Sequence, residues 1–465
     1  MAHVEDGGVA VDSNQAFSVE QNGINIVPDA ERSGRPADLF SVWSAANVIL
    51  TYVIVGSLLV VMGLTPSQMI TVVVAGYAVY WLVGYVSIPG ARAGTATLAI
   101  SRGIFGSTGN LLPSLFSWLT NVGWESVNLV LATFALFTLC QQLGFEPSPL
   151  MEALLLLGLA VFTFGIGVLG HATILFMQQA LTWALGAVML GLIPQIYWAA
   201  SAAPLPPAEG ADLPTMLIAL GLTISMPLSY VNGAANFARY LPKATSGASI
   251  AFWTFLGAFI PATTITVIGY FAARVADLTD PIAGLGTLLA PWYFNLYLVL
   301  IVGGAITNNF INTYSSGMSL LAMGLRTSRS KAVLLDAVLA TAASACAIFL
   351  YDFTSAFIAF LALMVVWIAP WCAIFVVDTF LRRGRYDDAP LFADDLATGG
   401  IPRWKWDAYA SWVLGIVAAL ACTTTDIFRS PFAERYLAGA DVSILVGFAV
   451  SGIAYWLLRR RQLPS

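Results

Sequence analysis

The chain is 465 residues long, 58% hydrophobic and only 10% charged, with a net charge of −5 and a mean hydropathy of +0.81. So much apolar surface cannot be buried in a soluble globule of this size, which leaves an integral membrane protein. The acidic balance gives nucleic acid no footing as a partner.

A hydrocarbon core about 30 Å thick needs roughly 20 apolar residues per helix. Residues 1–39 are a polar leader without the basic stretch and apolar run of a signal peptide, and they read as flexible. About twelve helical segments follow, at 40–63, 70–88, 113–140, 151–169, 172–198, 215–233, 250–273, 292–322, 332–351, 353–380, 409–423 and 442–458. A loop at 381–408 separates the tenth from the last two, and 459–465 form a basic tail. Lys and Arg accumulate in cytoplasmic loops. With the N-terminus inside, seventeen of the twenty basic residues share one side, and only Arg274, Arg429 and Arg435 fall on the other. The expectation is therefore twelve spans with both termini cytoplasmic, in a bacterial-type inner membrane.

Enzyme chemistry finds no support. Cys140, Cys346, Cys372 and Cys422 lack metal-ligand spacing and read as packing residues, and His3 and His171 are few and peripheral. No Gly-Lys-Ser/Thr phosphate loop or HExxH motif appears, so neither an ATP-driven pump nor a cofactor is expected.

Charge inside a bilayer is costly and marks pathways or sites. Asp336, Asp378, Glu152 and Asp212 stand near segment ends, where they are expected to reach water. Glu125 cannot, being twelve residues after Pro113 and fifteen before Cys140. Asn121, Trp124, Glu125 and Asn128 are spaced i, i+3, i+4, i+7 and so share one helical face. That face reads as the wall of a polar cavity, the alternative being a helix contact in which amides and acid satisfy one another. The eighth segment repeats the pattern with Asn308, Asn312 and Ser315, with Thr307 beside them and Gly303 and Gly304 allowing close backbone approach. In the sixth, Pro227 removes a backbone donor among Ser225, Ser229, Tyr230 and Asn232. The first carries Asn47, Thr51 and Tyr52 in an apolar run, a weaker sign of unwinding because no Pro or Gly is present. Breaks at segments one and six, five apart, are what an inverted repeat of five helices would give, here 40–198 and 215–380, with the site at the midplane and two helices added at 409–458.

In this order the motifs resemble the nucleobase:cation symporter-1 family, and within it the purine-cytosine permeases. The resemblance runs through Gly23 to Pro28 with Glu31 and Arg32, Trp43 with Asn47, the "SRGIFGSTG" loop from Ser101, Val122-Gly123-Trp124, "NFARY" from Asn236, Thr307-Asn308, and Ile368-Ala369-Pro370 with Asp378. It implies an all-α transporter of twelve helices with a LeuT-like fold, discontinuous at helices 1 and 6, importing a nucleobase or related heterocycle with sodium or protons. By position it implies Trp124 as the stacking platform, Asn121, Asn128, Asn308 and Asn312 as readers of the ring edge, and Ser225 to Ser229 as facing the substrate. The family's sodium site would fall on the Ala46 carbonyl, Thr307 and Gly303, but Ile306 stands where sodium-coupled relatives place a second hydroxyl. Glu125 departs from the family pattern, and we expect it either to take up the coupling proton or to accept hydrogen bonds from the ring. Allantoin, hydantoin, uracil and vitamin pyrimidines remain alternative substrates. An amino-acid transporter would need a Gly-rich first-helix break, a channel continuous pore polarity, and a sensor a soluble output domain. The oligomeric state is not legible.

Overall fold

The computed structural model describes residues 16–20, 22–146, 148–202, 208–325, 327–350, 353–386, 391, 401–425 and 428–460. Among them the protein is all helix, apart from one isolated bridge between Thr424 and Arg429. The first span is two helices, α1 (Asp38–Asn47) and α2 (Leu50–Val61), bent by 55° at their junction. α3 (Pro66–Tyr77) and α4 (Tyr80–Ala93) form the second. A short α5 (Thr97–Phe105) leads into α6 (Leu111–Gln142), the third span, followed by α7 (Pro149–Gly167) and by α8 (His171–Leu190) with α9 (Leu192–Ala202). The sixth span is α10 (Leu213–Leu228), a 3-10 turn at Val231–Gly233 and α11 (Ala234–Ala238). Then come α12 (Gly247–Ala273), a short α13 (Pro281–Leu288), α14 (Pro291–Ala322), α15 (Arg329–Phe349) and α16 (Phe353–Leu381). α17 (Trp406–Ala421), α18 (Pro431–Tyr436) and α19 (Ser443–Arg459) end the chain. Nine helical runs among the described residues are long and apolar enough to cross a membrane, a tenth is the bent α1–α2 pair, and α17 and α19 are shorter apolar helices. The twelve expected segments each coincide with one of these.

Local signals set the ends. Thr65 accepts from the Gln68 amide in a full capping box ahead of Pro66, and Ser148, Asp212 and Ser328 cap α7, α10 and α15 by accepting from the backbone N–H of Met151, Thr215 and Lys331. Gly94 ends α4 with φ of 70°, a left-handed conformation that favours glycine. The two longest helices, α6 and α14, each 32 residues, pack along one another and form the spine of the bundle. On one side of that spine α12 packs against α1, α2 and α4; on the other α7 and α15 enclose a second apolar cluster of Val122, Leu129, Phe164, Ala305 and Val333.

The leader differs from expectation. Residues 1–15 lie outside the described part, but from Phe17 onward the chain is seated on the bundle, because its own polar groups find partners there. The Phe17 amide donates to Thr173 Oγ1 at 2.8 Å, the Glu20 amide to the Leu169 carbonyl at 3.0 Å, and the Val27 amide to the Gly94 carbonyl at 2.9 Å. Glu20 is buried, and its carboxylate accepts from Arg239 Nη2 at 2.5 Å, Tyr240 at 2.6 Å, Tyr314 at 3.1 Å and the His171 amide at 3.0 Å. Burial alone would raise this carboxyl; Arg239, then Arg329, the Tyr240 hydroxyl and the His171 amide outweigh it, so the group is held below its ordinary value near 4.5. His171, expected to be peripheral, is buried and stacks on Tyr240 with ring centroids 3.9 Å apart. We call this end of the bundle the leader face.

Candidate functional site

The break in the first span needs neither proline nor glycine of its own. Val48 and Ile49 leave helical geometry, with φ, ψ of −89°, 72° and −133°, 153°. The freed backbone is received by α14, where a Cβ on Gly304 would stand 2.4 Å from the Val48 carbonyl oxygen, so only glycine fits. Asn47 steadies the turn: its Nδ2 donates to the Trp43 carbonyl at 2.7 Å, and its Oδ1 accepts from Tyr80 at 2.6 Å and from Tyr52. The sixth span breaks just after Pro227, between Leu228 and Ala234, as its sequence indicates.

Between these breaks and the spine lies a row of interlocked amides. Asn308 Nδ2 donates to the Ala46 carbonyl and to Tyr230 Oη, each at 2.7 Å, while its Oδ1 accepts from Asn128 at 2.6 Å and Asn312 at 2.8 Å. Asn128 Nδ2 also reaches Asn309 Oδ1 at 2.8 Å, and Asn309 Nδ2 donates to the Glu125 carbonyl at 3.1 Å. Asn128, Asn308 and Asn312 are thus brought together with Ala46. Asn309 and Tyr230 join them without having been singled out as binding residues; Asn309 is adjacent to Asn308, and helical spacing alone did not select it. Asn121 sits two turns before Asn128 toward the leader face, donating to the Ser117 carbonyl at 2.8 Å. Beyond it Ser117 pairs with Ser319 at 2.8 Å and accepts from Asn232 at 2.9 Å, and Asn236 donates to Ser315 at 3.0 Å. These bonds seal the leader-face side.

Ser225 and Ser229 do not join the row. Their hydroxyls donate to carbonyls of their own helix, Leu222 at 2.7 Å and Met226 at 2.6 Å. Ser225 lines a cavity of about 460 Å³ open at the opposite end of the bundle, shared with Leu58, Leu361, Arg429 and Asp441.

Of the residues expected around a cation, Thr307 Oγ1 donates toward the Ala45 carbonyl at 3.2 Å and the Gly304 carbonyl at 2.9 Å. The Ala46 carbonyl already accepts from Asn308 and, at 3.3 Å, from Tyr230. Gly303 is turned away from this cluster toward Leu185, 3.3 Å from where its Cβ would stand, and Gly304 takes the place beside the broken helix. Gln178, which no spacing argument flagged, holds the Thr307 carbonyl at 2.9 Å.

Trp124 and Glu125 follow one another, and adjacent helical residues point about 100° apart. Trp124 packs edge-on against Phe357 and Phe360 of α16, with centroids 6.1 and 5.6 Å away, and its Nε1 has no hydrogen-bond partner. Asn128 Oδ1, one turn on, also has none. Glu125 turns instead toward α14 and α15, at the edge of the second apolar cluster. It is fully buried, and neither carboxyl oxygen has a hydrogen-bond partner. Thr313 approaches the carboxyl without closing a bond, and its hydroxyl is likewise unpartnered. Asp336, on α15, is held against the same face of α6 two turns before Glu125, through Trp118. Asp336 corrects an expectation: it does not reach water but is buried, accepting from Trp118 Nε1 at 2.6 Å and Ser316 at 2.7 Å. Asp378 is also buried, paired with Arg382 at 2.7 Å and Tyr455 at 2.6 Å.

Residues 26–447 match the family described as permease for cytosine/purines, uracil, thiamine, allantoin. The chain belongs to that family. The permease is 26% identical to YxlA of Bacillus subtilis, assigned to the purine-cytosine permeases, over 97% of this chain and 98% of that one. It is 25% identical to the cytosine permease of Escherichia coli K12 over 72% and 73% of the two chains. Among solved structures it superposes on Mhp1, a nucleobase-cation-symport-1 transporter in a closed conformation with bromovinylhydantoin bound, with a TM-score of 0.76, 17% identity and 96% coverage of both chains. Against inward-facing Mhp1 the TM-score is 0.72. The fold is therefore the LeuT-like one, and the protein is a multi-pass membrane transporter rather than an enzyme. Among the described residues no group of three or more His, Cys, Asp or Glu is placed to hold a metal ion.

Proposed function

We propose that this permease imports a nucleobase, cytosine or a purine, by proton-coupled alternating access, with both termini in the cytoplasm of a bacterial-type membrane, so that the leader face is the inner one. The observation that carries the substrate reading is the pair of unsatisfied atoms on one face of α6, the Trp124 Nε1 donor and the Asn128 Oδ1 acceptor, buried one turn apart at mid-span. Buried polar atoms nearly always have partners. A planar heterocycle that offers N–H and carbonyl groups along one edge completes them, with Asn121, Asn308 and Asn312 exchanging their mutual bonds for bonds to the ring. An indole whose N–H is unpaired loses no hydrogen bond when it turns onto a base, and stacking on an aromatic ring is worth about 1–3 kcal/mol per base.

Glu125 favours the proton over sodium. An ionised carboxylate without donor or counter-charge costs several kcal/mol at this depth. Glu125 is therefore stable here when it holds a proton. The oxygens of Ala45, Ala46 and Gly304, where sodium would be held with Thr307, are meanwhile engaged by the Thr307, Asn308 and Tyr230 donors.

A thermal-shift panel of cytosine, adenine, guanine, uracil, allantoin and hydantoin on the purified protein, followed by counterflow in proteoliposomes, tests the substrate. Stabilisation and exchange with cytosine or a purine are expected; a response confined to allantoin, hydantoin or uracil gives the site to that ring, and no response to any refutes the reading. Replacing sodium by choline should leave uptake unchanged, and uptake lost in choline would refute proton coupling.

A further inference from the structure

The carboxyl pair Glu125 and Asp336 is more than one residue with a neighbour. Starting at the midplane, the polar atoms behind the amide row run in one direction: Glu125 on α6, then Thr313 and Ser316 on α14, one turn apart, then Asp336 on α15. Asp336 lies seven residues, two turns, from Arg329 at the leader-face end of α15. Beside this row stand the apolar Val122, Leu129, Phe164 and Val333.

The polar groups near Glu125 are few in kind. α15 supplies Asp336 and α14 supplies Thr313, the Asn309 amide being used on the Glu125 backbone carbonyl, and α16 supplies only Phe357 and Phe360 behind Trp124. Arg329, the cation at that end of α15, is spent on the Gly167 carbonyl at 2.9 Å and the Val168 carbonyl. Two buried carboxyls are therefore left with hydroxyls, an indole N–H and no paired cation. Trp118, which donates to Asp336 at 2.6 Å, precedes Glu125 by seven residues, two turns of the same α6 face, and neighbouring like charges resist simultaneous ionisation, so a proton on one favours its release from the other.

We propose that Asp336 is a second proton-binding residue of this permease, receiving the coupling proton from Glu125 along the Thr313 and Ser316 hydroxyls and delivering it to the leader face outside the substrate chamber. The proposal rests on proton coupling and names the group that releases the ion. The transfer balances: the O–H bond of the Glu125 carboxyl breaks, each hydroxyl accepts one proton and passes on its own, and a new O–H bond forms on the Asp336 carboxylate, leaving the negative charge on Glu125. Thr313 and Ser316 lie one helical turn apart, about 5–6 Å between Cβ atoms, a gap that one bridging water closes. Ser316 and Trp118 already hold the acceptor end in place.

The test measures two quantities in the same proteoliposomes: labelled base, using whichever of cytosine, adenine or guanine stabilises the wild type, and proton entry, using an entrapped pH dye. Asp336→Asn keeps an acceptor for Trp118 and removes the titrating group. It should lower pH-gradient-driven net uptake and the accompanying proton entry about tenfold, while counterflow exchange and the thermal shift by the base stay within about twofold of wild type, because exchange does not require the proton to leave. Ser316→Ala and Thr313→Val should lower the ratio of net uptake to counterflow in the same direction. If Asp336→Asn does not fold, these two variants decide, and a wild-type ratio in both overturns the proposal, as does wild-type proton entry in a folded Asp336→Asn. A wild type that exchanges base without proton entry refutes proton coupling itself, which separates the two failures.

Discussion

Two buried glutamates in this protein have opposite surroundings. Glu20, at the leader face, receives a guanidinium, two phenol hydroxyls and a backbone N–H; Glu125, at the midplane, receives none. The difference teaches what each can do. A carboxylate with a full complement of donors is stable as an anion and ties its donors together, in this case the leader, the segment after α11, and α14. A carboxyl with no donor is stable only while something neutralises it, which makes its state depend on what the site is carrying. Charge compensation, not burial, separates the latch from the proposed proton carrier.

The contrast breaks most visibly at the latch. Glu20→Ala leaves Arg239 buried without its counter-ion, and removing one partner of such a pair costs about 3–5 kcal/mol; the melting temperature should fall by several degrees, and an unchanged value would show that the leader is not bound to the bundle. The acid dependence follows from the lowered carboxyl. Its contribution to stability is complete above the ordinary value near 4.5 and is lost as pH falls through the lower folded-state value, so the wild-type melting temperature should gain nothing from this group between pH 6 and 8 and lose its contribution only in strong acid. A titration step in that contribution near neutrality would contradict the assignment.

At the midplane the largest stability effects belong to the scaffold rather than to Glu125. Gly304→Ala drives a methyl to 2.4 Å from the Val48 oxygen, an overpacking expected to cost about 1–3 kcal/mol and to abolish transport by displacing the broken helix. Asn308→Ala leaves the Ala46 carbonyl with only the longer Tyr230 bond, at about 1 kcal/mol for a lost hydrogen bond, and should weaken base affinity by about tenfold or more in the thermal-shift titration. Gly303→Ala meets only the Leu185 side chain at 3.3 Å, and transport within about twofold of wild type is expected; a loss as deep as that of Gly304→Ala would overturn the distinction between the two glycines.

Much of this was legible beforehand because hydropathy over some twenty residues is a long-range average that packing does not alter, so the spans were placed to within a few residues. The break after Pro227 could be read because its cause is in its own sequence. The break at Val48 could not be read firmly, because what permits it is Gly304, some 256 residues away. The same limitation applies to Asp336, whose distance from a segment end suggested water while Trp118 and Ser316 close over it. Polarity likewise hid the leader's seating, since Glu20 reads as solvated until Arg239 is placed beside it. The i, i+3, i+4, i+7 face brings Asn121, Trp124, Glu125 and Asn128 within one arc of α6, but that spacing does not tell that Trp124 packs on Phe357 and Phe360 of α16 while the Glu125 carboxyl is left without a donor.

The most direct measurement of the central claim is proton entry and base uptake recorded together in proteoliposomes for wild type and Glu125→Gln. Glutamine keeps the shape and removes the titrating group. Wild type should admit protons only with base, and Glu125→Gln should still bind and exchange the base within about threefold, melt within a degree or two of wild type, and show no base-dependent proton entry and no pH dependence of uptake. A Glu125→Gln protein that carries protons with the base as the wild type does would contradict the account.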